Sequence, residues 1–346
     1  MPVRASFEIG MHTIAPGERR TVDLPVSVLS DHTPVTMSVH VIHGRREGPV
    51  LFVSAAIHGD EVIGVEIARR LLRSATIDGL RGTLLVIPIV NTFGFLNHSR
   101  YLPDRRDLNR SFPGKASGSL AARLADLFMR EIVDRSDFGI DLHSAAIHRL
   151  NMPQIRVSTS QQKTLQLAET FGAPVIILSK LREGSLRQAA QQRGVDILLY
   201  EAGEGLRFDE YSARAGVAGI LRVMHDMGMV SRRVASRAKT KPLRSTSSAW
   251  QRAPAGGLLR VFKGTGETVN AGDVLGVIAD PFGEVETEVK CEQAGLIIGR
   301  TNLPVVNEGD ALFHIASTNG LDPEATIELL SAQLGADPLF DEDEII

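Results

Sequence analysis

Short apolar runs alternate with helical patterns from Val50 to about residue 230, and this alternation constrains the fold more than any other feature of the chain. Near-continuous hydrophobicity in short runs is typical of central strands that are covered on both faces. The runs are Val50–Ile57, Thr83–Val90, Phe138–His143, Pro174–Leu178 and Asp196–Gly203, and the helical patterns are Val62–Arg73, Leu120–Val133 and Tyr211–Met229. They predict an α/β domain with a mixed, largely parallel sheet flanked by helices, and with antiparallel edge strands such as Val35–Gly44.

A change of composition near residue 231 divides the chain. Residues 1–230 form the predicted α/β domain, and residues 231–254, rich in Ser, Thr, Arg and Lys, predict a linker. In residues 255–317 the pattern GETVNAGDVL returns loosely as NLPVVNEGDAL. Two such halves resemble the barrel-sandwich hybrid of lipoyl and biotinyl domains, so we expect a small all-β barrel-sandwich domain. Residues 318–346 predict a helix and an acidic tail.

Lys290 is the residue that would carry the cofactor if this C-terminal domain were a lipoyl- or biotinyl-type carrier. In lipoyl and biotinyl carriers, a lysine on an exposed hairpin takes the cofactor. Lys290 lies in TEVKCEQAG, which lacks a Met-Lys-Met sequence and is close to Gly295. We therefore expect a structural role for this lysine, and an intact mass without an added cofactor would agree.

Composition and charge limit the partners and the location. The formal net charge of −3 gives no reason to expect nucleic acid or a membrane as a partner. No apolar run reaches the roughly 20 residues that span a bilayer, and the first residues lack the apolar core of a signal peptide. One cysteine, Cys291, is typical of a reducing compartment. We expect a cytoplasmic protein.

A histidine and a glutamate stand where the first predicted central strand gives way to a helix. His58 and Glu61 are three positions apart in AAIHGDEVIGVE, and His143 ends the predicted strand FGIDLH. In open α/β sheets, ligands bind at the carboxyl ends of strands. Two histidines and one glutamate are a known catalytic zinc set. A buried, hydrogen-bonded histidine is the alternative for either residue alone, but the convergence of all three predicts a metal site.

Two further segments carry polar residues suited to such a site. In DLNR, Asn109 and Arg110 combine an amide donor with a bidentate guanidinium, as carboxylate binding requires. Glu201 ends another apolar run, in LLYEAGEG, and is the candidate general base. Glu204 competes for that role, although its Gly-rich surroundings predict an exposed loop. Solvated surface charge is the alternative for the arginines of the first segment.

These motifs, in this order, resemble the succinylglutamate desuccinylase/aspartoacylase family. They are HGDE from His58, RYLPDRRDLNRSFPG from Arg100, DLH ending at His143, and the strand-end Glu201. The resemblance covers about residues 35–230, and the C-terminal domain resembles the family's own barrel. It implies the fold of zinc carboxypeptidases. It also implies a zinc-dependent amidohydrolase that removes the acyl group from an N-acylated amino acid or a related small molecule by means of a metal-activated water.

The resemblance also implies a role for each site residue. His58, Glu61 and His143 would bind one zinc ion per chain, and Glu201 would take a proton from the attacking water and later pass one to the leaving amine. Arg100 would stabilise the oxyanion that forms on the scissile carbonyl.

The remaining roles implied by the resemblance concern substrate binding and support of the metal ligands. Asn109 and Arg110 would hold a substrate carboxylate. Asp107 would accept the other imidazole N–H of His58. His148 and Arg149, within the segment that would shape the acyl pocket, have no role that the sequence assigns.

Other functions are compatible with the same residues. A carboxypeptidase-like metallopeptidase acting on short peptides is the main alternative, and the added C-terminal barrel, which would crowd the cleft, favours small substrates over it. A non-catalytic binding protein is disfavoured because every expected catalytic role is filled. The acyl group and the amine of the substrate stay open, and a homo-oligomer is compatible with a barrel of this kind.

Overall fold

The structure of the protein, a computed structural model, describes residues 4–158, 162–231 and 241–318. Its strands are β1 (Phe7–Ile9), β2 (His12–Ile14), β3 (Arg19–Val28), β4 (Pro34–His43), β5 (Arg46–Ala55), β6 (Arg81–Ile87), β7 (Phe138–His143), β8 (Arg149–Val157), β9 (Val175–Leu178), β10 (Asp196–Gly203), β11 (Leu243–Ser245), β12 (Ser248–Arg252), β13 (Gly257–Val261), β14 (Thr268–Val269), β15 (Val274–Ala279), β16 (Glu286–Lys290), β17 (Gly295–Thr301), β18 (Val305–Val306) and β19 (Ala311–Ala316). Its α-helices are α1 (Ile63–Arg73), α2 (Thr92–Leu96), α3 (Leu120–Glu131), α4 (Gln162–Phe171), α5 (Leu186–Gln192) and α6 (Glu210–Asp226). Short 3₁₀ segments lie at Ala75–Ile77, Leu108–Arg110 and Val133–Arg135.

One large mixed sheet organises the described residues. Its main path runs β12-β19-β17-β8-β10-β7-β5-β6-β4-β3. The four strands β6, β5, β7 and β10 are parallel to one another, and antiparallel pairs flank them on both sides. The α/β architecture with a mixed sheet is therefore confirmed, and the parallel part is limited to the centre and to the short side pairs of β9 with β8 and β11.

The central strands are apolar because hydrophobic cores cover both faces of the sheet. All residues of β7 are buried. One core contains α1, α4 and α6, and the other contains α3 and α5. In α1 the buried residues Ile63, Ile67 and Leu71 recur with the helical period, as the amphipathic pattern predicts. None of the helices in the described ranges has the length and apolarity that crossing a bilayer demands.

The C-terminal region is antiparallel β structure, and it is hydrogen-bonded to the central sheet. Strands β16, β15, β13 and β18 form a second sheet, and its residues share a core with β17 and β19. Strand β17 pairs with β8, so that Gly299 lies opposite Asn151 and Thr301 opposite Arg149. The predicted boundaries at residues 231 and 255 stay predictions. Two strands of the predicted linker, β11 and β12, pair with strands outside it. Strand β11 pairs with β9, which precedes residue 231, and β12 pairs with β19, which follows residue 255.

The sequence located most central elements, and it missed β8. Strands β7 and β10 have the predicted bounds, and α1, α3 and α6 begin or end within three residues of them. Strand β8, RLNMPQIRV, was not predicted because Arg, Asn, Gln and Pro interrupt its apolar pattern. The helix predicted beyond residue 318 and the basic residues 232–240 lie outside the described ranges.

Candidate metal and substrate site

The predicted metal ligands lie together at the carboxyl end of the parallel strands. His58 and Glu61 occupy the turn between β5 and α1, and His143 is the last residue of β7, which is the neighbour of β5. This turn packs tightly against α2. A Cβ atom on Gly59 would lie 1.9 Å from the carbonyl carbon of Gly94, so only glycine fits there.

Glu61 joins the two imidazoles. Its Oε1 lies 2.6 Å from Nδ1 of His58, and its Oε2 lies 2.7 Å from Nδ1 of His143. The backbone N–H of Ser144 also donates to Oε2, at 3.2 Å. All three side chains are buried, and one ligand atom from each lies within 4.8 Å of the others. The group could therefore hold a metal ion.

The other ring nitrogen of each histidine, Nε2, is within hydrogen-bond distance of an aspartate. Nε2 of His58 lies 3.1 Å from Oδ1 of Asp107, and Nε2 of His143 lies 2.7 Å from Oδ2 of Asp141. Such carboxylates fix the imidazole orientation and raise its basicity toward a metal. The hydroxyl of Ser54 donates to the second oxygen of Asp141, at 2.8 Å.

Asp141 is a residue that the sequence analysis missed. It precedes His143 by two residues in β7, so both side chains project from the same face of the strand. An acidic residue at this offset from a strand-end histidine, inside an otherwise apolar run, is the signal that could have found it.

The buried charges of this cluster stabilise one another. Burial would raise the pKa of Glu61, but the two imidazoles outweigh it and hold that pKa below its ordinary value. Burial also opposes protonation of His143, yet Asp141 and Glu61 raise its pKa well above the usual value. The pKa of His58 is raised too, because Glu61 and Asp107 outweigh its burial. Since ligand binding requires unprotonated nitrogens, a divalent cation would replace these protons.

Arg100 presents its guanidinium to the same cluster. Its Nη2 and Nε donate to Oδ2 of Asp107 at 2.9 and 3.2 Å, and its Nη1 lies 3.3 Å from Oε1 of Glu61. Burial would raise the pKa of Asp107, but His58 and Arg100 lower it below the ordinary range. Arg100 is thus held in place by Asp107, with positive charge directed at the predicted metal ligands.

A cavity of about 160 Å³ adjoins the cluster, and its lining includes the predicted site residues except Asp107. It is lined by His58, Glu61, Arg100, Asn109, Arg110, His143, Ser144, Ala146, Arg156, Arg182, Ser185, Arg187, Leu199 and Glu201. Among these residues, arginines greatly outnumber carboxylates. The site therefore attracts anions.

Three arginines of the cavity lack a carboxylate partner in the described ranges, and two of them, Arg110 and Arg187, donate to the backbone oxygens of Asn109 and Arg156. Arg110, Arg182 and Arg187 form no ion pair with a carboxylate in the part of the chain that the structure describes, whereas Arg100 and Arg156 do. Burial, together with the positive charge of Arg156, lowers the pKa of Arg187 to about 10. Burial also lowers the pKa of Arg110. Nothing in KLREGSLRQ distinguished Arg182 and Arg187 from surface charge in the sequence.

Asn109 and Arg110 lie side by side at the cavity wall. Asn109 is buried, and its Oδ1 accepts the N–H of Leu186 at 2.9 Å, which anchors the start of α5. Arg110 donates to the carbonyl oxygen of Asn109 at 2.5 Å. The two residues therefore border the cavity, and Asn109 also has a structural contact; their binding of a substrate carboxylate stays a prediction.

Glu201 lines the same cavity, near the end of β10. Two side chains of β8 hold its carboxylate. Nδ2 of Asn151 donates to Oε1 at 2.9 Å, and Nε of Arg156 lies 2.6 Å from Oε2. Neither residue was predicted, since β8 itself was missed. Each carboxylate oxygen retains a further lone pair for another hydrogen bond.

Glu204, the competitor of Glu201, is not among the residues that line the cavity. Its Oε1 accepts the N–H of His148 at 3.1 Å, and its Oε2 accepts from Nδ2 of Asn302 at 2.8 Å. The guanidinium of Arg149 lies over the ring of Trp250, 5.0 Å from its centroid. These side chains connect the loop after β7 to the C-terminal region.

The fold and the site define an α/β protein with a buried His-Glu-His group beside an arginine-rich cavity. The chain belongs to the succinylglutamate desuccinylase/aspartoacylase family. Residues 47–227, more than half of the chain, match the model of the succinylglutamate desuccinylase/aspartoacylase catalytic domain. The family predicted from the sequence is confirmed, and membership supports a hydrolase that acts on amide bonds.

Individual relatives extend the likeness over most of the chain. An N-alpha-acetyl-L-2,4-diaminobutyric acid deacetylase of Halomonas elongata is 28% identical over 310 residues, which cover 85% of this chain and 89% of that protein. The product-bound structure of the ectoine utilization protein EutE (DoeB) from Ruegeria pomeroyi superposes with a TM-score of 0.78 at 22% identity, over 92% of this chain and 98% of that one. A succinylglutamate desuccinylase/aspartoacylase from Rhodobacter sphaeroides gives a TM-score of 0.76 at 23% identity, over 87% and 95% of the two chains.

Proposed function

We propose that this protein is a zinc-dependent deacylase that hydrolyses the amide bond of an N-acylated amino acid. The observation that carries the proposal is the buried group of His58, Glu61 and His143, in which both Nδ1 atoms face one carboxylate. The arginine-rich cavity beside it supports a small anionic substrate. The deacetylase relative supports an N-acyl amino acid as the substrate class.

The three ligand residues fit zinc by their chemistry. Two imidazole nitrogens and a carboxylate are a catalytic zinc set, and the aspartates behind both imidazoles suit a metal ligand rather than a surface histidine. A divalent ion held there supplies Lewis acidity toward a carbonyl oxygen and toward water.

We assign the proton transfers to Glu201. Its carboxylate shares the cavity with the metal ligands, and it is held there by Asn151 and Arg156. It accepts a proton from the water that attacks the amide carbonyl. It then returns a proton to the nitrogen, so that the C–N bond breaks and a carboxylate and an amine leave.

Arg100 stabilises the negative charge that develops on the carbonyl oxygen. Its guanidinium is already oriented by Asp107 and lies beside the metal ligands. Preorganised donors of this kind act because they need no rearrangement when the charge forms. Asp107 thereby positions both Arg100 and His58.

Asn109 and Arg110 bind a carboxylate of the substrate, and the neighbouring Arg182 and Arg187 add positive charge. A guanidinium in a half-buried site binds a carboxylate through two parallel hydrogen bonds. A cavity in which three arginines form no ion pair with a carboxylate of the described residues favours amino acids with an anionic side chain over the diaminobutyric acid named for the relative.

We further propose that residues 1–230 form a zinc-carboxypeptidase-like catalytic domain and residues 255–317 a barrel-sandwich domain. The central parallel strands and the antiparallel C-terminal core support this division. A single buried cysteine supports a reducing, cytoplasmic setting. The carboxypeptidase-like peptidase remains the alternative activity, which the small cavity disfavours.

Metal analysis combined with a substrate panel tests the proposal. The purified protein is expected to contain about one zinc per chain and to hydrolyse at least one of N-acetyl-L-aspartate, N-succinyl-L-glutamate and N-acetyl-2,4-diaminobutyrate. Activity should disappear with a chelator and return with zinc. Hydrolysis of dipeptides with no release from acyl amino acids would instead identify a peptidase.

A further inference from the structure

Strand β8 connects the proposed base to the C-terminal region. One edge of β8 pairs with β10, which carries Glu201, and the other edge pairs with β17 of the C-terminal region. Asn151 lies where these pairings meet, opposite Gly203 on one side and opposite Gly299 on the other. Its buried side chain does not line the cavity, so it acts on a substrate only through a neighbour.

The contact of Asn151 with Glu201 lies at a local irregularity of the sheet. The register between β10 and β8 shifts between Glu201 and Gly203. Beside this shift, Nδ2 of Asn151 lies 2.9 Å from Oε1 of Glu201. Nε of Arg156 lies 2.6 Å from the other oxygen as an ion pair, without the geometry of a hydrogen bond, so side chains of β8 contact the carboxylate at both of its oxygens.

The lack of a side chain at Gly299 provides the space that the amide of Asn151 occupies. A Cβ atom on Gly299 would lie 2.4 Å from Oδ1 of Asn151, closer than such contacts occur. The backbone oxygen of Leu150 would lie at 3.0 Å, a smaller overlap that a shift of a few tenths of an ångström would relieve. A side chain at position 299 would therefore displace mainly the amide of Asn151, and with it the hydrogen bond to Glu201.

We infer that Asn151 and Gly299 are positioning residues for catalysis, and that the C-terminal region sets the orientation of Glu201 through them without touching the substrate. The inference rests on the proposed role of Glu201. A base that is misplaced by about 1 Å loses much of its effect, because proton transfer requires hydrogen-bond distance to the reacting water.

A mutant cycle tests this inference. The variants are Asn151→Ala, Gly299→Ala and the double variant, assayed for kcat and KM with N-acetyl-L-aspartate or, failing that, the best substrate of the panel. Each single variant is expected to lower kcat about tenfold with little change in KM, since a hydrogen bond to a charged group contributes about that much. The double variant should be no slower than Asn151→Ala alone, because the amide that a Cβ at position 299 would displace is already absent.

Controls separate positioning from general damage. In Gly256→Ala the added Cβ would lie 3.6 Å from the carbonyl oxygen of Val306, which is an ordinary van der Waals distance. This variant should therefore leave kcat unchanged. Zinc content and melting temperature are measured for every variant.

If Gly299→Ala fails to fold, Asn151→Asp takes its place. A second carboxylate beside Glu201 should lower kcat by about a hundredfold or more while zinc content is retained.

The outcomes distinguish the inference from the proposed function. A Gly299→Ala substitution that lowers kcat equally in the presence and absence of the Asn151 side chain would overturn the coupling. Wild-type kcat in Asn151→Ala and Asn151→Asp would overturn the positioning role. Glu201→Gln is assayed in parallel: if it is inactive while these variants are fully active, only the inference fails. If Glu201→Gln is fully active, both the assignment of Glu201 as the base and the inference fail.

Discussion

Replacing Asp141 by asparagine should weaken metal binding although Asp141 is not itself a predicted ligand. Asp141 is fully buried and uses its two oxygens for two different donors, Nε2 of His143 at 2.7 Å and the hydroxyl of Ser54 at 2.8 Å. An amide offers one acceptor oxygen in place of two. Either His143 or Ser54 therefore loses its acceptor, and the imidazole loses the negative charge behind it.

The expected loss is tenfold to a hundredfold in zinc affinity, or about 1.4 to 2.7 kcal/mol, as for other carboxylates that support metal-bound histidines. The measurement is a competition titration of the metal-free protein against a chelator of known zinc affinity. Thermal unfolding gives a second reading, because zinc bound to the native state raises the melting temperature by an amount that depends on its affinity.

Asp134→Asn is the matched control for this substitution. Asp134 forms an ion pair with Arg193 at 2.9 Å, and the arginine is half exposed, so the same chemical change there should leave zinc affinity unaltered. Equal zinc affinities for Asp141→Asn and the unsubstituted protein would refute the argument that the buried aspartate supports a metal ligand.

Three further substitutions test other parts of the site. Glu201→Gln should retain zinc and the melting temperature but lower kcat by about 10² to 10⁴, which is the usual contribution of a general base, and a fully active variant would remove that role. Arg110→Ala should raise KM for a carboxylate-bearing substrate about tenfold, as measured by initial rates, whereas Arg105→Ala should not; equal KM values would contradict the carboxylate contact. Gly59→Ala should destabilise the protein by about 3 kcal/mol or more in urea unfolding, because its Cβ would overlap the backbone of Gly94, and an unchanged midpoint would contradict that packing.

The sequence predicted those parts of the fold whose physical cause is local. Strand β7 is apolar because both of its faces are covered, and its bounds follow from its own residues. The HGDE turn and the strand-end His143 were found because their residue types are specific to metal chemistry, and the structure brings them within 4.8 Å. The roles of Glu201, Arg100, Asn109 and Arg110 stay predictions.

What the sequence did not reveal depends on pairing between distant segments. Strand β8 was not predicted because it contains polar residues, such as Asn151 and Arg156, that contact Glu201 of the neighbouring strand. These residues interrupt the apolar alternation by which a strand is recognised in a sequence. Arg156 and Asn151 acquire meaning only through their contacts with Glu201, and Arg187 only through the cavity that buries it. Such contacts have no local signature in a single chain.

The pairing of β17 with β8 limits how this chain can be shortened. Removing the residues after 231 would strip the partner from Arg149–Asn151 and leave their backbone N–H and C=O groups as an open sheet edge. An exposed edge of this kind recruits strands from other molecules. A fragment that kept every proposed ligand would therefore be expected to self-associate, so loss of its activity would say nothing about zinc.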